Sequence, residues 1–298
     1  MLGEILTAIV TPFDGNGRVN LERFRELCAQ LVDDGSDGVV VCGTTGESPT
    51  LTDEEKVELW QAAVHEVGGR ATVIAGTGTY STAHSVHLTE AADRAGVDGF
   101  LVVTPYYNKP PLRGIVEHFR AISEVSDKPI VAYNIPSRVV VNLPPATLVE
   151  LAEEIPTVKA VKQANSDLDQ AKRIVEETEL ELYAGDDNLV LPFLELGGVG
   201  GICVRSNIAG QQLKEMVTRY REGDYARARQ INEELGPLYE LDDVAVNPIP
   251  IKTAMNLLGQ DVGGFRLPLV EATPNEREGV KKCLERAGLL AAATPAPA

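Results

Sequence analysis

Short runs of β-branched and aliphatic residues alternate along the chain with longer stretches in which apolar positions recur every three to four residues. Eight of the runs read as strands: Ile5 to Pro12, Gly38 to Gly43, Thr72 to Gly78, Gly99 to Pro105, Pro129 to Ile135, Val158 to Ala164, Glu181 to Gly185 and Gly201 to Val204. A helical pattern follows each of them. Between Leu21 and Asp33, Leu21, Phe24, Leu27, Cys28, Leu31 and Val32 fall on one side, while Arg23, Arg25, Glu26 and Gln30 fall elsewhere. Thr52 with Glu55 three residues later forms a capping box for a helix from Asp53 to about Val67.

Eight consecutive strand–helix units, with strands apolar enough to be covered on both faces, predict an α/β fold: a closed (β/α)8 TIM barrel over residues 1–222. An open doubly wound sheet is the alternative. Beyond Val204 the strand signals stop, and helices at Tyr225 to Leu235, Pro250 to Leu258 and Asn275 to Ala287 predict a C-terminal helical appendage over 223–290. Residues 291–298 are only Ala, Thr and Pro and read as a tail outside the fold.

Composition adds limits. With 298 residues, 44% apolar and 24% charged, the chain is neither disordered, collagen-like nor coiled coil. Its net charge of −17 repels phosphate backbones and anionic lipid, which argues against a nucleic-acid or membrane-surface partner. No uncharged apolar run approaches the ~18 residues of a membrane span, and Met1 to Val10 carries Glu4 with no basic start, so a cytoplasmic protein is expected. Cys28, Cys42, Cys203 and Cys283 stand singly and read as buried thiols. Of His65, His84, His87 and His118, only His84 and His87 share a helix face, and nothing beside them completes a metal-ligand set. A nicotinamide cofactor is also not expected: Gly76-Thr77-Gly78 follows a strand, but Ser81 stands at the third glycine position.

In a barrel of this kind the chemistry gathers where the strands end. The second strand delivers Gly43-Thr44-Thr45-Gly46-Glu47, the fourth Thr104-Pro105-Tyr106-Tyr107-Asn108, and the fifth Tyr133-Asn134-Ile135-Pro136-Ser137-Arg138. The sixth carries Lys162 between Ala160 and Ala164 on the same face, leaving room for one long side chain inside the barrel. An ammonium is costly to desolvate and an amine nucleophile must be neutral, so a lysine in such a place suits Schiff-base chemistry. The local alternative is a lysine paired with a carboxylate such as Asp186. Lys159, on the opposite face, reads as solvated. The Gly43–Gly46 turn can aim successive N–H groups and two hydroxyls at an anion. Tyr133 suits proton transfer, Thr45 can both accept and donate, and Arg138 can grip a carboxylate bidentately. Asp186 and Asp187 diverge as neighbours, which favours a supporting role over a cation site.

Taken in order, these motifs, with Gly185-Asp186-Asp187 and Asn247-Pro248-Ile249-Pro250-Ile251-Lys252, closely resemble the dihydrodipicolinate synthase family of pyruvate-dependent lysine aldolases, nearly end to end. The resemblance implies condensation of pyruvate with L-aspartate 4-semialdehyde, the opening step of diaminopimelate and lysine biosynthesis, without metal or organic cofactor. Lys162 then forms the imine, Tyr133 acts as general acid and base, and Thr45 relays protons. Tyr107 maps onto a tyrosine that completes the relay across a subunit interface, the alternative being an interface aromatic without a proton role. Thr44 and Thr45 hold the pyruvate carboxylate, Arg138 the second substrate, and Gly185 and Ile202 line the pocket. The family is usually a homotetramer, a dimer of dimers. Rival readings are a retro-aldol lyase of N-acetylneuraminate or a 2-keto-3-deoxy sugar acid, against which Arg138 argues, and a noncatalytic keto-acid-binding protein. Positions where feedback-inhibited members bind lysine correspond to Pro49, Asp53, Lys56, Tyr80 and His84, with Tyr106 retained beside them. The cation Lys56 among them implies weak or absent inhibition by L-lysine. Gln163 stands where the family often has Glu.

Overall fold

The computed structural model describes residues 2–291. Eight parallel strands, β1 (Ile5–Ala8), β2 (Gly38–Val41), β3 (Thr72–Gly76), β4 (Gly99–Val103), β5 (Ile130–Asn134), β6 (Val158–Gln163), β7 (Glu181–Ala184) and β8 (Gly200–Cys203), pair in sequence order, and β8 returns to β1 to close the barrel. The expected open-sheet alternative is thereby excluded. Between them run α1 (Leu21–Asp33), α2 (Asp53–Val67), α3 (Thr82–Ala95), α4 (Leu112–Ser123), the single turn α5 (Pro136–Val139), α6 (Pro145–Glu154), α7 (Leu168–Glu177) and α8 (Val190–Glu195). After β8 come α9 (Ser206–Arg221), α10 (Tyr225–Glu234), the short α11 (Gly236–Tyr239) and α12 (Leu241–Val244), then α13 (Ile249–Leu257) and α14 (Pro274–Arg286). None of these helices is long and apolar enough to cross a membrane. Of the tail read at 291–298, all but Ala291 lies outside the described residues.

The capping box over Thr52 and Glu55 is present, with the side chain of each bonded to the other's backbone N–H. Every strand, by contrast, leaves the ladder one to four residues before the apolar pattern ends. Ile9 and Val10, for example, are buried but lie past the end of β1. Apolarity reports burial, and these residues stay buried while the backbone turns out of the sheet to build the loops at the carboxyl end.

Two apolar layers result. Leu6, Val40, Ile74, Val131, Ala160, Tyr183 and Ile202 fill the barrel interior, whereas a larger shell joins the outer strand faces to the helices. Alternation along β6 separates them as expected, with Lys159 exposed and Ala160, Lys162 and Ala164 buried on the inner side. Gly185, just past β7, sits against β6 so closely that a Cβ there would lie 2.5 Å from that of Ala164. The appendage is fastened by an ion pair: Lys252 Nζ of α13 lies 2.9 Å from Glu47 Oε1, both side chains fully buried.

Candidate active site

A cavity of about 290 Å3 opens at the carboxyl ends of the strands. Its walls include Gly43, Thr44 and Thr45 after β2, Tyr133 of β5, Arg138 of α5, Lys162 of β6 and Gly185 after β7. Six of the residues expected at the site therefore converge: Thr44, Thr45, Tyr133, Arg138, Lys162 and Gly185. Two do not. Ile202 is fully buried in the interior packing of the barrel and is not among the cavity-lining residues, because β8 turns it inward beneath the rim. Tyr107, with φ +70°, is 91% exposed and outside the cavity of its own chain.

Register places Tyr133 beside Lys162, and Lys162 beside Tyr183, on neighbouring strands. Lys162 Nζ lies 4.5 Å from the centroid of the Tyr133 ring. Although only 4% exposed, the Lys162 side chain makes no hydrogen bond and no ion pair among the described residues. The pairing with Asp186 weighed from the sequence is thus not formed. Asp186 lines the same cavity, and burial holds its carboxyl above the ordinary carboxylate range while the charge of Lys162 opposes that shift. Asp187 is committed to structure: it accepts from the backbone N–H groups of Val204 and Arg205.

Gln163 faces away from Lys162, into a neutral amide cluster. Asn134 Nδ2 donates to its Oε1 at 2.9 Å, and its Nε2 donates to Asn165 Oδ1 at 2.8 Å. No charge enters the neighbourhood of the lysine from that position.

Three contributors went unassigned in the sequence reading. Arg205, 3% exposed, bonds Asp242 at 2.8 Å and the carbonyls of Leu238 and Tyr239, tying the rim of β8 to the appendage. Its position directly after an apolar strand end was the available signal. Asp242 and Asn247 reach the cavity from the appendage itself, where no strand pattern points to a site. Asn247 Nδ2 donates to Thr45 Oγ1 at 3.1 Å, and Arg138 Nη2 donates to the Asn247 carbonyl at 3.1 Å.

A second cavity of about 550 Å3 adjoins the first, sharing Thr44, Tyr133 and Arg138 and extending past Pro49, Asp53, Lys56, Tyr80, His84 and Tyr106. In it Asp53 is bracketed by His84 Nε2 at 2.8 Å and Lys56 Nζ at 3.5 Å.

Comparison with known proteins agrees with this architecture. The chain matches the Dihydrodipicolinate synthetase family over residues 1–287. It is 48% identical over 290 residues to the 4-hydroxy-tetrahydrodipicolinate synthase of Moorella thermoacetica, covering 97% of this chain and 99% of that one. Among solved structures it resembles DHDPS from Cyanidioschyzon merolae with lysine bound (TM-score 0.94, 41% identity, 97% of this chain and 99% of that one). It also resembles a monomeric dihydrodipicolinate synthase variant (TM-score 0.94, 38% identity, 97% and 98% covered). With its closed barrel, its helical appendage and this end-to-end likeness, the chain belongs to the dihydrodipicolinate synthetase family.

Proposed function

We propose that this chain condenses pyruvate with L-aspartate 4-semialdehyde as a 4-hydroxy-tetrahydrodipicolinate synthase, a Schiff-base-forming lyase, with Lys162 as the nucleophile. The observation that carries this reading is the amine of Lys162, buried at the cavity and left without an ion pair, against the ring of Tyr133. A lysine buried for structure alone collects partners, because an unpaired buried charge is costly. One that lines a cavity without them is available to react.

The Lys162 lone pair attacks the ketone carbon of pyruvate, and the ketone oxygen leaves as water after taking up protons, one of them from Tyr133. The iminium that results accepts the electron pair released when the methyl group loses a proton to the Tyr133 phenolate. The enamine carbon then bonds to the aldehyde carbon, the aldehyde oxygen takes its proton back from Tyr133, and the amine of the second substrate displaces Lys162 from the re-formed iminium carbon, closing the ring and freeing the lysine, with the surplus proton returned to Tyr133. Thr45 serves as relay. The Thr44–Thr45 turn and the backbone at Gly185 bind the pyruvate carboxylate, and Arg138 binds the carboxylate of the second substrate. No step calls on a metal or an organic cofactor.

Tyr107 takes part from a second copy of the chain. A large aromatic held 91% exposed and away from its own cavity supports that reading, with a homotetramer built from two such dimers, working in the cytoplasm. In the adjoining cavity the Asp53 carboxylate is already engaged by two basic side chains, which supports weak or absent inhibition by L-lysine.

Incubation with pyruvate and borohydride, followed by peptide mass analysis, tests the assignment. The expected result is a reduced pyruvyl adduct on Lys162, with pyruvate consumed only when aspartate semialdehyde is present. An adduct without turnover of that aldehyde moves the activity to a sibling aldolase; no adduct leaves a keto-acid-binding protein.

A further inference from the structure

Asn247 belongs to the stretch Ala245, Val246 and Asn247 with which the appendage lines the cavity. It touches two site residues that come from different strands. Through its side chain it donates to Thr45 Oγ1, past the end of β2, and through its backbone carbonyl it accepts from Arg138, past the end of β5. Its other amide atom, Oδ1, is buried and has no hydrogen-bond partner among the described residues.

A side-chain N–H can only donate. The Thr45 lone pair that faces Asn247 is therefore occupied, and the Thr45 proton must point to some other acceptor. A hydroxyl rotor otherwise free to bond in several directions is denied this one, and its proton is left the remaining directions, the cavity that Thr45 lines among them. The orphaned Oδ1 supports the same view. A buried acceptor without a partner is unfavourable, so the amide is held in this place at some cost to stability.

We propose that Asn247 is a positioning residue: its amide sets the direction of the Thr45 hydroxyl and its backbone carbonyl sets the Arg138 guanidinium, so that one residue of the appendage aligns proton transfer with recognition of the carboxylate-bearing aldehyde. The proposal rests on the reading of Thr45 as proton relay. Side-chain substitution separates the two roles, because the contact to Arg138 is made by the backbone.

The test uses the full-length enzyme as wild type, Asn247→Ala and Asn247→Asp, with Asn247→Ala also placed on a Thr45→Val background. Wild type is first trapped with pyruvate and borohydride, and absence of the Lys162 adduct there would take down the relay reading itself. Where the adduct forms, Asn247→Ala lowers kcat by about ten- to a hundredfold, the scale of misplacing a reacting group, and leaves KM for aspartate semialdehyde within about threefold. On the Thr45→Val background the same substitution has no further effect. Asn247→Asp keeps the shape of the side chain, but its ionised carboxylate accepts where the amide donated and draws the Thr45 proton toward itself. Its kcat relative to wild type is low at neutral pH and recovers as the pH falls and the carboxyl regains a proton to donate. Loss of packing alone produces no such limb. An unchanged kcat in Asn247→Ala, additive losses on the Thr45→Val background, or a wild-type pH profile in Asn247→Asp each overturns the proposal, and the isosteric variant carries the test even if the alanine variant folds poorly.

Discussion

Lys252 and Lys162 are both buried, yet the fold treats them differently. Lys252 on α13 has its ammonium 2.9 Å from Glu47 Oε1 and 3.1 Å from the Thr11 carbonyl, bonds the Gly264 carbonyl as well, and lies over the rings of Phe13 and Phe265 at 4.5 and 4.8 Å. Burial pulls its pKa below the ordinary lysine range, and the nearby Glu47 resists that pull. Lys162 on β6 has the Tyr133 ring and a cavity. Where every donor of a buried ammonium is matched, the residue holds two parts of the chain together. Where the partners are withheld, stability is given up locally and reactivity is gained.

The sharpest way to break this contrast is to replace each lysine by methionine. Lys162→Met should lower turnover by at least about four orders of magnitude, as loss of a covalent nucleophile does. Its thermal midpoint should hold or rise, because an amine without partners contributes little to the fold. A large drop in the midpoint would show that Lys162 is a strut after all.

Lys252→Met should act in the opposite sense, leaving Glu47 buried and unpaired and reducing unfolding free energy by about 3–5 kcal/mol in denaturant titration. Adding Glu47→Gln should restore part of that loss, since no charge then remains stranded. If the double variant is no more stable than the single one, the ion pair is not what fastens the appendage.

His118 offers a third buried basic group, between the two extremes. Its Nδ1 lies 3.0 Å from Thr82 Oγ1, its Nε2 has no partner among the described residues, and burial lowers its pKa from 6.5 to about 4. The folded chain keeps the imidazole neutral where the unfolded chain protonates it. Stability is therefore lost as the pH falls from about 6.5 to about 4, by up to about 3 kcal/mol in all, and levels off below. His118→Gln should remove that part of the slope in denaturant titrations run across this range.

A smaller effect is expected from Arg138→Ala. Because Arg138 is exposed and lines both cavities, KM for aspartate semialdehyde should rise by about ten- to a hundredfold, the value of one charge-assisted contact, with the rate of pyruvate imine formation nearly unchanged. Equal slowing of imine formation would mean that Arg138 serves the first substrate as well.

Much of this was legible residue by residue. The helix at Leu21–Asp33 and the start of the capped helix at Asp53–Val67 were readable to the residue, because a stripe at period 3.6 and a reciprocal cap are local signals. Strand starts were nearly as clear, but strand ends were not: the apolar run continues into the loops that shape the cavity. Lys162 was legible from alternation with two alanines, and Thr44, Thr45, Tyr133 and Arg138 from their place at strand ends. Asp242 and Arg205 were not, and Asn247 stood only within a motif, without a role, since each reaches the cavity through packing of the appendage against the rim.

The sequence by itself determined the eight strand–helix units, the inward face of β6, the family and the residue types that carry the chemistry, because periodicity, local capping and contiguous motifs depend on neighbours along the chain. Only the tertiary structure decided which of the buried lysines has no hydrogen bond or ion pair from its side chain among the described residues, that Tyr107 stays exposed outside its own cavity while Ile202 lies beneath the rim, and that one asparagine from beyond the barrel joins Thr45 to Arg138. Those outcomes depend on contacts between residues up to 241 positions apart, and no local pattern encodes which distant side chain will meet a given donor when the barrel closes.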